Sequence, residues 1–223
     1  MGFAAFMNDP KTYLGHHRAM VQDAPASAQA CIPAAGVVMP NGKTRIEFTQ
    51  SPQNYISMIH TVGHGTPVHS SKKDIAKAIF GLGRIYRSFQ PIASPADVGF
   101  RYLPFKANHC TYMVLDAYAN FWITGPLTGC TVAVARHNGT LWVFHSNDNV
   151  GTGTLARDTQ RHSLQYVCGA INVPYASLTR CEYQTHYHGF GFVFGRRRAN
   201  SWKFYSHATD SNNNTRTIKW AEV

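Results

Sequence analysis

The chain has 223 residues, with 21 Lys and Arg against 11 Asp and Glu and a formal charge of +10. Its 44% apolar content excludes disorder over most of its length, since disorder needs low hydrophobicity with dense charge; the length fits one domain, with or without an appendage. No apolar run approaches the roughly 20 residues of a membrane-spanning helix, so the chain reads as soluble, and its charge steers it toward acidic surfaces.

The N-terminus, Met1-Gly2-Phe3-Ala4-Ala5-Phe6, lacks the basic start and long apolar stretch of a secretory leader. Phe6 stands where an N-myristoylation pattern needs Ser or Thr. Export, if it occurs, is expected by a route that removes no such leader. Residues 1–40, rich in Ala, Pro and His, read as an arm or loosely packed segment, and residues 41–223 as the functional domain. Strand character begins at Thr44–Phe48. The spacing of Ile75, Ile79, Leu82 and Phe89 predicts a helix over Ser71–Phe89, with Ser71 and Asp74 resembling a capping box. Gly81 and Gly83 oppose it at about 1 kcal/mol each. A loop containing Pro91 and Pro95 is expected next, then β-rich runs at 121–124, 131–136, 141–145, 164–167, 183–194 and 202–207. The expectation is one α/β domain: a β-rich core with one or two helices outside.

The five cysteines, Cys31, Cys110, Cys130, Cys168 and Cys181, form no CxxC pair and read as reduced thiols. Cys168, in the apolar run Val167–Val173, reads as core. His60, His64 and His69, in a Gly- and Pro-containing loop, and Cys181, His186 and His188 are of metal-ligating type. Neither group has a familiar ligand spacing, so no metal and no cofactor is expected. Strand alternation would place His186 and His188 on one face. Phe190, Phe192 and Phe194 followed by Arg196-Arg197-Arg198 could stack on single-stranded nucleic acid. A core face followed by a solvated basic turn is the favoured reading.

The most informative stretch is Phe121–His145. Asn138-Gly139 between two β-branched and aromatic runs predicts a hairpin with a two-residue type I′ turn. Thr140 then faces His137, His145 faces Val132, and Asn147 faces Cys130. Cys130 and His145 become same-face diagonal neighbours, about 7–8 Å apart at the backbone, where a thiolate–imidazolium pair could form. A three-residue loop would reverse that parity. Gly125, Pro126 and Gly129 break the chain before Cys130, leaving turn N–H groups free to face an oxyanion. A nearby imidazole lowers a thiol pKa and serves as general acid and base. Asn147 is a further local candidate for orienting or binding.

Leu127-Thr128-Gly129-Cys130 resembles the Leu-Ser-Gly-Cys motif of the bacterial toxin glutamine deamidases, the family of cytotoxic necrotizing factor and Burkholderia lethal factor 1. His145 follows Cys130 by 15 residues and Thr124 precedes it by six, as the family's catalytic His and its supporting Thr do. Thr128 replaces the usual Ser and keeps a hydroxyl. The resemblance extends more loosely to Ser201–Tyr205 and Ala208–Ser211, and does not reach the first 110 residues. It implies a β-sandwich core with flanking helices and a cysteine-dependent protein-glutamine glutaminase. Cys130 would be the nucleophile, His145 the acid–base, Thr124 the residue orienting His145, and Thr128, Gly129 and Asn147 substrate-binding residues. It further implies a monomeric secreted effector acting in host cytoplasm. Its partner would be a host protein with an accessible glutamine, initiation factor 4A or a Rho-family GTPase, rather than nucleic acid or a membrane. The reading from a different class is a basic nucleic-acid-binding module with a structural Cys130.

Overall fold

A computed structural model describes residues 3–16, 18–21, 35–38, 45–50, 56–64, 85–93, 99–105, 109–147, 154–209 and 215–223. In chain order the elements are α1 (Phe3–Asn8), α2 (Pro10–His16), β1 (Arg18–Val21), β2 (Ala35–Val38), β3 (Arg45–Gln50), β4 (Ile56–His64), β5 (Ile85–Ala93), β6 (Phe100–Leu103) and β7 (His109–Leu115). They continue with β8 (Phe121–Thr124), β9 (Thr131–His137), β10 (Thr140–Ser146), α3 (Thr154–Ala170), β11 (Thr179–Cys181), β12 (Phe190–Arg198), β13 (Ser201–Thr209) and β14 (Thr215–Glu222).

Two sheets carry the site. The six-stranded sheet has order β11-β9-β10-β7-β3-β2 and the five-stranded sheet β14-β13-β12-β8-β6. Within these two sheets pairing is antiparallel except for β3–β7 and β6–β8. Because strand side chains alternate, each sheet presents two faces. Val132, Val134, Leu141 and Val143 of one sheet meet Leu103, Trp122, Val193 and Phe204 of the other in a shared core. On the outer side of the five-stranded sheet, Phe121, Ile123, Phe192 and Phe194 are covered by Phe6, Tyr13 and Leu14 from α1 and α2. On the outer side of the six-stranded sheet, Ala133, Ala135 and Phe144 are covered by Leu164, Val167 and Cys168 of α3. The architecture is an α/β sandwich with a helical layer on each side. Among the described residues no helix is long and apolar enough to cross a membrane.

Residues 3–16 come from the stretch expected as an arm, yet they are docked. Phe6 is fully buried, with ring centroids 5.7 Å from Phe121 and 5.6 Å from Phe194. The basic run Arg196–Arg198 fastens this layer, since Arg196 and Arg198 both donate to the Asn8 carbonyl at the end of α1. Arg197 donates to the Ala117 and Ala119 carbonyls. These arginines are structural cross-links rather than a freely solvated turn. Phe6→Ala should cost ~3–5 kcal/mol, read as a lowered urea midpoint, because it empties the centre of this aromatic cluster. The expected boundary at residue 40 lies outside the described residues.

Several expectations need correction. The C-terminal part of the helix predicted over Ser71–Phe89 is strand: Ile85–Phe89 lie in β5, paired to β4 and, over Tyr86–Phe89, to β1, while residues 71–84 lie outside the described residues. Two ladders satisfy this backbone, and β-branched and aromatic residues suit a sheet better than a glycine-interrupted helix. Pro91 continues β5 beyond the last β1 partner, opposite Met58 of β4, so it is a strand residue rather than part of a loop; Pro95 lies outside the described residues. Residues 164–167 are helical, within α3. His60 and His64 lie in β4 rather than a loop, and His69 falls outside the described residues.

Candidate functional site

The Asn138-Gly139 turn takes φ of 49° and 76°, the positive values a type I′ turn requires. Its two-residue length sets the register: Thr140 faces His137, Val143 faces Val134 and His145 faces Val132. The ladder closes at Ser146–Thr131, one pair short of the Asn147–Cys130 facing expected from the register. Because Val132, Val134, Leu141 and Val143 point into the inter-sheet core, His145 does too, and Cys130 belongs to that same core. The two side chains therefore lie on one face of the sheet.

Thr124 comes from the opposite sheet. Its Oγ1 lies 2.6 Å from His145 Nδ1 and donates to the Leu103 carbonyl at 2.7 Å. A hydroxyl has one proton to give. With that proton on the Leu103 oxygen, Thr124 Oγ1 accepts from His145 Nδ1–H, so Nε2 carries the bare lone pair. Nε2 is buried and has no hydrogen-bond partner among the described residues. Phe105 packs beside the ring at a centroid distance of 6.0 Å. Burial holds the imidazole pKa down to about 3, so His145 is neutral at rest.

Cys130 is 3% exposed, and burial pushes its thiol up to about 12. Backbone hydrogen bonds from Thr128, Gly129 and Cys130 itself act against that rise, favouring negative charge at Sγ. The resting pair is therefore a neutral thiol and a neutral imidazole. Burial thus works against the expected thiolate–imidazolium pair, because it disfavours the charged form of both groups. Thr128 is exposed, Gly129 half-buried and Asn147 buried. Cys110, Cys168 and Cys181 are free and buried, as Cys130 is; Cys168 lies under α3 as expected.

Two residues at this site were missed in the sequence. Gln160 of α3 is 1% exposed and brackets Cys130: its Nε2 donates to the Gly129 carbonyl at 2.9 Å, and its Oε1 accepts from Thr131 Oγ1 at 2.7 Å. Tyr187 donates from its buried hydroxyl to the Cys130 carbonyl at 2.6 Å. The only signal for Gln160 was the i, i+3, i+4, i+7 spacing of Leu164, Val167, Cys168 and Ile171, which marks α3. Tyr187 had none, because residues 183–188, read as strand, form a turn closed by a Tyr183–Tyr187 bridge. For the same reason His186 and His188 do not share a strand face: His186 Nδ1 accepts from the Glu182 N–H, and His188 is exposed.

Arg161 of α3 forks onto Glu182 through Nε at 2.8 Å and Nη2 at 2.7 Å, fixing the helix to this turn. A cleft of about 230 Å³ opens beside Gly139, Leu141 and Trp202, at the hairpin-turn end of the strands and away from Cys130. Among the described residues no group of three or more His, Cys, Asp or Glu is placed to hold a metal ion.

No protein-family model matches the chain, and no curated protein matches it. Among solved structures, the C-terminal domain of CNFy from Yersinia pseudotuberculosis is similar over 55% of this chain at 9% identity, with a TM-score of 0.32. The match spans 60% of that chain's own length.

Proposed function

We propose that the chain is a cysteine-dependent acyl-transfer enzyme that hydrolyses the side-chain amide of a protein glutamine. The observation that carries this reading is the tautomer lock. Thr124 holds His145 with its lone pair on Nε2, buried and unbonded, on the face that also carries the Cys130 thiol. A buried imidazole nitrogen left without a partner is costly, and this one lies on the sheet face that also carries a thiol. The resemblance of Leu127–Cys130 and its spacings to the toxin deamidases supplies the amide and the glutamine. It also makes a host protein the partner, initiation factor 4A or a Rho-family GTPase, met in host cytoplasm by an effector without a cofactor.

In this mechanism His145 Nε2 takes the Cys130 proton as Sγ attacks the carboxamide carbon. Backbone N–H groups at residues 128–130 face the developing oxyanion. The imidazolium returns its proton to the leaving ammonia, giving a thioester. His145 then activates water, and hydrolysis yields glutamate and the free thiol. The substrate amide must displace what covers Cys130, which a buried resting thiol makes necessary.

Thr124→Val should lower kcat on the order of 10²–10⁴-fold with KM little changed, because the ring loses the acceptor that sets its tautomer. Thr124→Ser should retain most activity. Since His145 is neutral well below neutrality and the thiol stays protonated to high pH, kcat/KM should be flat from roughly pH 6 to 9. A bell centred near neutrality would indicate an ion pair instead.

A further inference from the structure

Gln160 lies in the outer helical layer and cannot touch a substrate at Cys130, yet it holds the peptide unit that precedes the thiol. A trans peptide directs its C=O and N–H in opposite directions. Gln160 Nε2 holds the Gly129 oxygen at 2.9 Å, drawing it toward α3. The Cys130 N–H on the same peptide plane is thereby turned the other way, into the layer between the sheets where the thiol sits. Gln160 is itself constrained, because Thr131 Oγ1 donates to its Oε1 at 2.7 Å, which assigns the amide's nitrogen to Gly129.

We infer that Gln160 is a positioning residue that sets the Gly129–Cys130 peptide plane and so aims the Cys130 N–H as an oxyanion donor. The inference rests on the reading of Cys130 as nucleophile and adds a residue to it. Gln160 acts only where negative charge develops on an acyl oxygen. It has no part in reactions of the sulfur that form no oxyanion.

Two small probes separate these cases in the full chain. With p-nitrophenyl acetate, Sγ attacks the acetyl carbon through a tetrahedral oxyanion. The thiol proton passes to His145, an S–C bond forms, and p-nitrophenolate leaves with the electron pair. With iodoacetamide, Sγ displaces iodide and no oxyanion arises. Both rates at Cys130 are read by peptide mass analysis, against Cys110, Cys168 and Cys181 as internal references.

Gln160→Met, which keeps length and removes both hydrogen bonds, should slow acetylation about 10- to 100-fold and change alkylation less than about twofold. Thr131→Val, which removes only the bond to Gln160 Oε1, should act in the same direction more weakly, and keeps the test available should Gln160→Met fold poorly. Equal slowing of both probes in both variants, or unchanged acetylation in a folded variant, would overturn the role given to Gln160. If the wild-type thiol is neither acetylated nor alkylated ahead of the reference cysteines, the nucleophile reading itself fails and takes this inference with it.

Discussion

Cys130→Ala is expected to abolish deamidation, a loss on the order of 10⁴-fold or more, while unfolding free energy changes by no more than about 1–2 kcal/mol. The asymmetry follows from where the sulfur sits. As a packing atom it is one member of a large inter-sheet core whose bulk comes from Trp122, Phe204 and the aliphatic strand residues. As the proposed nucleophile it has no substitute, because alanine would leave His145 with no thiol to deprotonate and the backbone N–H groups with no tetrahedral intermediate to hold. The measurement is the intact mass of candidate host proteins incubated with the protein, where conversion of an amide to an acid registers as a discrete gain. Wild type should produce the gain on one glutamine, and the variant none. Were the chain a basic nucleic-acid-binding module, the variant would behave as wild type, and the measurable activity would be RNA or DNA binding that weakens steeply with salt.

Stability should fall steeply in mild acid, the second large effect. His145 and His207 are both buried, and burial holds each imidazole down to about 3, below the usual 6.5. His207 repeats the arrangement of His145: its Nδ1 lies 2.9 Å from Thr217 Oγ1, and its Nε2 is buried without a hydrogen-bond partner among the described residues. A depressed folded pKa means that the unfolded chain binds more protons below 6.5, so stability is fully present above that pH and is lost as pH falls toward 3. The loss per histidine approaches about 1.4 kcal/mol per pH unit once the unfolded ring is fully protonated, so the pair removes about 3 kcal/mol between pH 6.5 and roughly pH 5. That is a large part of the roughly 5–15 kcal/mol that stabilises a typical domain. Urea midpoints across this range should show proton uptake on unfolding that is smaller by about one proton in His207→Gln than in wild type. A midpoint constant down to roughly pH 4 would show that neither ring is held neutral.

How much was legible in the sequence depended on how local the determinant was. Strands β8, β9 and β10 and their turn were readable because Asn138-Gly139 and alternating β-branched residues specify a hairpin without outside help. That register puts His145 on the inter-sheet face, where Cys130, one residue beyond the ladder, also lies, and the Thr124 spacing pointed to its partner through resemblance. Helix α3 was misread because Leu164–Val167 taken alone satisfies a strand pattern; only a window reaching Ile171 shows helical period. β5 was misread in the opposite sense, since its pairing partners lie far away in sequence.

The chain by itself determined the nucleophile candidate, its face and the hairpin that presents it, because turn chemistry and two-residue alternation act over a few neighbouring positions. Only the tertiary structure decided the charge state of the pair, the identity of the bare ring nitrogen, and the bracing of the turn by Gln160 and Tyr187. Each depends on how deeply a group is removed from water and on which distant hydroxyl, amide or carbonyl the packing of two sheets and a helix brings to it. Desolvation and long-range hydrogen bonding have no local signature, so a sequence that places a thiol beside an imidazole still leaves open whether either is charged.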